Sequence, residues 1–361
     1  MDSLNISLNL EEKNHKFPYI SRPECICEFS VDQSRKMTYG RMPIKYFYES
    51  SLKEEHPNYN LNEGMENRIE KTEFEGLRVV FDWIIKQTPD KYYDLKKICH
   101  DTDFVCLRGL LTKIGSSIYG MKDSFNAIAQ YHNGVIFISE YETEDDIEKK
   151  LNRTYEDKKF CYWGRKFEKY VTCDHADSIP DTTQVVSEFD EHIGIFKLFL
   201  EGTGDNLDKV KLLYGAEVDC VDPKTGKLME IKTQYDRLNE SFWRHKAVKW
   251  WLQSFFVGID KIIVGYRDNQ GIVKKVGLLP LNDLTNFNGE RYFSGKLAMN
   301  YILKTLAVMK QSFVERKDSV IFIEKKVDCR GVELIRMNDP SKVGVQIFTK
   351  EFLQKFPKKN D

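Results

Sequence analysis

Apolar residues in the first third of the chain come in short bursts separated by polar, turn-rich stretches. Residues 1–20 are polar and are expected to form a loosely held, flexible leader. The stretch from about Arg35 to Arg68 carries Pro43, Pro57, Gly64 and many charges, and is expected to wrap a core formed elsewhere. From Phe74 the period turns helical. Phe74, Leu77, Phe81, Ile84 and Ile85 fall on one face, and Thr88-Pro89-Asp90 ends the element. The segment DFVCLRGLLTKI (103–114) is short and rich in apolar residues. It predicts a strand with Cys106, Arg108 and Leu110 on one face. Over 125–141 the alternation Phe125, Ala127, Ala129, Tyr131 leads through Asn133-Gly134, a favoured two-residue turn, into VIFISE, and predicts a hairpin. Glu144 to Lys158 predicts a charged, helical connector.

Further along, the pattern predicts helices at about 164–173 and 188–202 and a hairpin at about 212–233. A long helix at about 240–257 follows, then a hairpin at 262–278 turning at Asn269-Gln270-Gly271. A helix at about 294–315 and strands near 319–325, 332–337 and 344–349 complete the chain. Helices mixed with hairpins imply an α+β fold with mixed β-sheets flanked by helices, not a doubly wound parallel sheet. No internal repeat, Gly/Ser/Pro linker or low-complexity run divides residues 1–361, so a single domain is expected.

Composition narrows the class. Hydrophobic residues are 41% and aromatic residues 13% of 361, enough for a sizeable core. Charged residues are 31%, but the signs nearly cancel to a formal −1, so any nucleic acid must bind in a local basic groove and not through net charge. The eight cysteines include one close pair, Cys25 and Cys27, with no second pair at zinc spacing, which reads as reduced thiols. With no apolar signal core and no run of about 20 apolar residues, a reducing, intracellular setting without a membrane is expected.

The candidate chemistry sits in GAEVDCVDPKTGKLMEIKTQ. Glu217 and Asp219 are two apart, so on a strand they share a face, and Glu230 and Lys232 repeat that spacing after the turn at Asp222-Pro223-Lys224-Thr225-Gly226. A hairpin in register would gather three carboxylates and one ammonium, with Val218, Cys220, Met229 and Ile231 turned to a buried face. Clustered carboxylates repel one another unless protons or a cation neutralise them, and hard oxygen ligands select Mg²⁺ or Mn²⁺. Such a site can activate water for displacement at phosphorus. An exposed hairpin face with cross-strand ion pairs has the same spacing.

Three supporting features bear on that choice. Glu168, in a helix after Cys161-Tyr162-Trp163, is either a surface carboxylate or a fourth ligand. Arg108, among apolar neighbours, requires an anionic partner, either a structural acid or a phosphate. In RHKAVKWWLQSFF, Lys246, Lys249 and Gln253 form a polar stripe opposite Trp251 and Phe255, with Trp250 at the edge.

Taken in order, these segments resemble the decapping exonuclease (DXO) family, with its fungal relatives that partner a nuclear 5′→3′ exoribonuclease. The resembling segments are CLRGLLTK with Arg108, Tyr162 to Glu168, Glu217-Val218-Asp219, Glu230-Ile231-Lys232, and Lys249 to Phe255 with Gln253. They cover roughly residues 100–280. The resemblance implies a core like the Asp…Glu-x-Lys nucleases around a deep active-site pocket. It implies Mg²⁺ or Mn²⁺ held by Glu168, Glu217, Asp219, Glu230 and the backbone carbonyl of Ile231. Lys232, Gln253 and Arg108 would contact substrate phosphates, with Glu217, Asp219, Glu230 and Lys232 as the catalytic set. The implied activity is hydrolysis at RNA 5′ ends: removal of incomplete or non-standard caps including NAD caps, pyrophosphate release from 5′-triphosphates, and 5′→3′ exonuclease action. RNA with unusual 5′ ends is then the substrate, an exoribonuclease the partner, and the nucleus, or else the cytoplasm, the location. A DNA-directed nuclease with the same core and a non-catalytic partner of a processive exoribonuclease are the competing readings.

Overall fold

The computed structural model describes residues 2–6, 8, 16–41, 43–89, 94–204, 206–285 and 292–359. Among them, two mixed sheets lie at the centre, one of eleven strands and one of seven. The larger runs across space as Asp2–Leu4, Glu333–Met337, Val320–Lys325, Phe125–His132, Val135–Glu140, Phe104–Leu107, Lys209–Glu217, Glu191–Glu201, Glu24–Val31 and Met37–Tyr39, with Tyr19–Ile20 also pairing to Glu191–Glu201. Phe104–Leu107 is parallel to both neighbours, and the other pairs are antiparallel. The smaller sheet centres on Cys220–Val221, Leu228–Tyr235, Lys261–Arg267 and Ile272–Pro280. The α+β reading therefore holds.

Several elements differ from the sequence expectation. The leader is not wholly loose, because Asp2–Leu4 adds an edge strand against Glu333–Met337 and Arg336 pairs with Asp2 at 3.2 Å. Residues 9–15 lie outside the described residues. Phe74 stands exposed before the helix Arg78–Gln87, whose other expected core residues are buried except the half-buried Ile85; the Asp90 stop lies outside the described residues. Segment 103–114 divides into the strand Phe104–Leu107 and the helix Arg108–Ser116. The expected helix at 188–202 is the strand Glu191–Glu201, paired on both sides. Its run HIGIFKLFL is apolar on both faces, and such a run has no period to separate strand from helix. The expected long helix breaks at Lys246 into Glu240–His245 and Ala247–Phe255. Residues 344–349 form no strand, and the helix Lys350–Lys355 packs Phe352 against Phe81 instead. The hairpins at 125–141 and 262–278 form as expected, Asn133 and Gly134 taking positive φ of 45° and 94°.

The two sheets are joined where the chain leaves Lys209–Glu217 and enters Cys220–Val221. Helix Tyr155–Val171 begins with a capping box in which Thr154 and Asp157 satisfy each other's backbone N–H groups. Its apolar side lies on the smaller sheet over two glycines. A Cβ on Gly265 would meet the Phe167 ring at 2.6 Å, and one on Gly271 would meet the Trp163 indole at 2.5 Å. Their absence lets the helix sit close enough to carry Glu168, the residue after Phe167, to the junction of the sheets.

Candidate active site

Glu217 ends a strand of the larger sheet, and Glu230 and Lys232 lie on a strand of the smaller one. The expected hairpin of three carboxylates and one ammonium is therefore only partly a hairpin. Cys220–Val221 pairs with Leu228–Tyr235, but Glu217 belongs to the other sheet and Asp219 to the crossing between them. Val218, Cys220, Met229 and Ile231 are all buried, as the alternation requires. Val218 N–H donates to the His192 carbonyl at 2.9 Å, and Ile231 N–H donates to Asp219 Oδ2 at 2.6 Å, which fixes both ends of the crossing.

One cavity of about 520 Å³ collects Glu168, Glu217, Asp219, Glu230, Ile231, Lys232, Arg108 and Gln253 in its wall. Every proposed site residue thus borders the same space. Two helices reach it with one spacing. Cys161, Gly164, Arg165 and Glu168 line it from the first, and Lys246, Lys249, Trp250 and Gln253 from the second. Both sets fall at i, i+3, i+4 and i+7, one face of a helix. That periodicity was the signal for Arg165, which the sequence reading passed over. Arg165 Nη1 lies 3.4 Å from Glu217 Oε1. Lys246 and Lys249 are tied off, the first donating to Gln234 Oε1 at 3.0 Å and the second pairing with Asp123 at 2.7 Å.

Arg108 is not mid-strand. It opens its helix, where the strand preceding it aims the side chain at the sheet junction. Its Nη1 donates to Glu230 Oε2 at 3.1 Å and to the Gln253 carbonyl at 3.4 Å. The structural acid expected as one of its two partners is therefore Glu230, which also accepts from Lys232 and is 1% exposed.

Burial alone would raise the Glu230 pKa, but Lys232 and Arg108 outweigh it and hold the group down to about 2. Glu168 and Asp219 go the other way. Burial and then the charge of Asp219 push Glu168 up to about 8, and burial and then the charge of Glu230 push Asp219 up to about 7. Burial lowers the Lys232 pKa less than Glu230 and Asp219 raise it, so its ammonium stays charged. The metal-free site is thus short of positive charge around Glu168 and Asp219.

That shortage, with four carboxylates, no imidazole and a single thiol, Cys161, around the cavity, fits a hard divalent cation. Among the described residues, no three His, Cys, Asp or Glu side chains already stand in metal-ligand geometry. Glu230 is turned to its cationic partners and Glu217 to Arg165. Binding a cation would require these side chains to exchange partners.

The family model described as RAI1-like PD-(D/E)XK nuclease matches residues 21–353. The decapping nuclease dom-3 of Caenorhabditis elegans is 34% identical over 341 residues, spanning 92% of this chain and 84% of the relative. The decapping and exoribonuclease protein of Xenopus laevis is 30% identical over 322 residues, 84% of this chain and 78% of the relative. Among solved structures, Candida albicans Rai1 in complex with pU5-Mn²⁺ superposes with a TM-score of 0.73 over 98% of each chain at 19% identity, a likeness of fold.

Proposed function

Because the chain belongs to the RAI1-like PD-(D/E)XK nuclease family and is a hydrolase acting on RNA 5′ ends, we propose that it removes incomplete or non-standard caps, including NAD caps, and releases pyrophosphate from 5′-triphosphate RNA, with 5′→3′ exonuclease action at the exposed end. The observation that carries this reading is that one cavity gathers four carboxylates together with Arg108, Lys232 and Gln253.

Glu168, Glu217, Asp219 and Glu230, with the Ile231 carbonyl, are assigned to hold Mg²⁺ or Mn²⁺. When bound, the ion supplies an activated water and neutralises charge developing on phosphate oxygens. Lys232, kept protonated by Glu230 and Asp219, is unsuited to take a proton from water and acts as a fixed charge on the phosphate. Arg108 is held against Glu230, so its guanidinium is oriented before substrate arrives. Gln253 borders the same space and can donate its amide N–H groups to a phosphate oxygen. The proposal includes residence in the nucleus and a 5′→3′ exoribonuclease partner.

A panel of triphosphate, monophosphate, unmethylated-cap, methylated-cap and NAD-capped RNAs, with product sizes resolved, tests the activity. The first, third and fifth should be cut in Mn²⁺ and spared in EDTA. Matched DNA ends cut equally well would reject RNA 5′ ends as the substrate class. Co-purification with an exoribonuclease, surviving Asp219→Ala, tests the partner.

A further inference from the structure

The body of an RNA whose 5′ end occupies the carboxylate cavity has three neighbouring cavities through which to leave. Their charge separates them. The one beside Glu168, Glu217 and Asp219 on the far side of the sheet junction is lined by three basic and six acidic side chains. The one beside Arg108 and Glu217 has one basic and four acidic. Both would repel a phosphodiester backbone. The third, about 300 Å³, has six basic side chains, Arg68, Lys71, Lys150, Arg153, Lys158 and Arg165, against three acidic. It shares Cys161 and Arg165 with the carboxylate cavity and therefore adjoins it.

The pairing within this groove is uneven. Arg68, Lys71 and Lys150 lie against Glu70, Glu191 and Glu142, at up to 3.2 Å. Arg153 and Lys158 form no ion pair among the described residues, and Arg153 is exposed. Beside them are large apolar side chains in solvent: Leu151 at 77% exposure and Tyr155 at 65%. Tyr155 lies one turn before Lys158 on the same helix face. Free cations beside an exposed ring are the features that hold single-stranded nucleic acid without reading its sequence.

We infer that this groove is the track for the RNA body, with Arg153 and Lys158 on the backbone and Tyr155 as a stacking platform. The inference rests on the RNA 5′-end reading above. The helix from Glu168 back to Tyr155 extends about 20 Å at 1.5 Å per residue. At about 3.4 Å per stacked nucleotide that length holds about six nucleotides. Affinity gained from RNA length should rise to about that point and then level off.

The test compares a dinucleotide with an unstructured RNA of about 20 nucleotides, both bearing the 5′ end that the substrate panel selects. Wild type should show a lower KM for the long RNA. In Arg153→Glu/Lys158→Glu the long-RNA KM should rise about tenfold with kcat held, bringing the two KM values together. Arg153→Ala/Lys158→Ala should reduce the salt slope of long-RNA binding by about 1.4, from roughly 0.7 per cation, and keeps the test open should the charge reversal misfold. Tyr155→Ala should raise the long-RNA KM several-fold. A length preference untouched by both pairs, or lost instead in Lys36→Ala on the acidic side, overturns the track. Equal wild-type KM values for the two lengths also overturn it while leaving the 5′-end reading in place; no hydrolysis of either RNA fails that reading itself.

Discussion

Glu230 and Glu168 border the same cavity, yet their surroundings pull them in opposite directions. Glu230 stands between Arg108 and Lys232 and is held ionised, down to about 2. Glu168, on a helix laid over glycines of the smaller sheet, meets Asp219 and Glu217 with only Arg165 and Lys232 to offset them, and is pushed up to about 8. One half of the cluster is compensated by protein cations and the other is not. A compensated carboxylate is a structural tie, and an uncompensated one is a place for a cation from solution. The comparison therefore divides the four acids by what their loss should cost.

The largest expected effect is on catalysis from the uncompensated half. Asp219→Asn should lower kcat at least about 10³-fold, the scale on which charge placed for a transition state acts. The amide oxygen can still accept from Ile231 N–H, so the fold should survive. Activity within tenfold of wild type, measured at saturating Mn²⁺ on the preferred 5′ end, would remove Asp219 from the site. Glu168→Gln should fall in the same direction.

Stability should show the reverse order. Glu230→Gln leaves Arg108 and Lys232 facing the buried junction without their counter-charge, a loss of about 3–5 kcal/mol in the usual range for one partner of a buried pair. Arg108→Met should cost less, because Lys232 still faces Glu230. Urea unfolding of the metal-free proteins checks this. If Glu168→Gln proves as destabilising as Glu230→Gln, the division into two halves is wrong.

The pH dependence sharpens the same contrast. Glu168 and Asp219 have folded pKa values of about 8 and about 7, above their ordinary carboxylate values. Groups raised in this way contribute stability that is fully present below the unfolded pKa and is lost as pH rises through the folded one. The metal-free chain should therefore lose stability between about pH 4 and about pH 8 on their account. Divalent cation should restore it, so the rise in Tm on adding Mn²⁺ should be several degrees larger at about pH 8.5 than at about pH 5.5. An equal rise at both would show that these two acids do not meet the ion.

These contrasts were only partly legible in the chain. The residue types were: Glu217, Asp219, Glu230 and Lys232 announce themselves by spacing inside apolar strands. The scaffold was not. Period-two alternation from Glu217 to Lys232 reads as one hairpin, but the register that puts Glu217 in the other sheet depends on partners outside that segment, Ile193 opposite Glu217 and Leu107 opposite Gly215. Arg108 was misplaced for a related reason. A four-residue strand running straight into a helix leaves too little of either period to separate them. Arg165 could have been found, since its spacing to Cys161 and Glu168 matches that of Trp250 to Lys246 and Gln253.

Arg165 gives the smallest expected effect and the finest test of the comparison. Its pair with Glu217 is partly solvated, the two side chains being 26% and 39% exposed, so Arg165→Gln should change stability by less than about 1 kcal/mol. The effect on metal should be larger and favourable. Burial lowers the Arg165 pKa, but Glu217 and Glu168 outweigh it, so a fixed positive charge faces the carboxylates proposed to hold the ion. Removing it takes away a competitor, and the Mn²⁺ concentration for half-maximal activity should fall several-fold, measured on a dinucleotide so that contacts to the RNA body do not enter. A higher half-maximal concentration would mean that Arg165 holds Glu217 in its binding position, and the uncompensated half would then extend no further than Glu168 and Asp219.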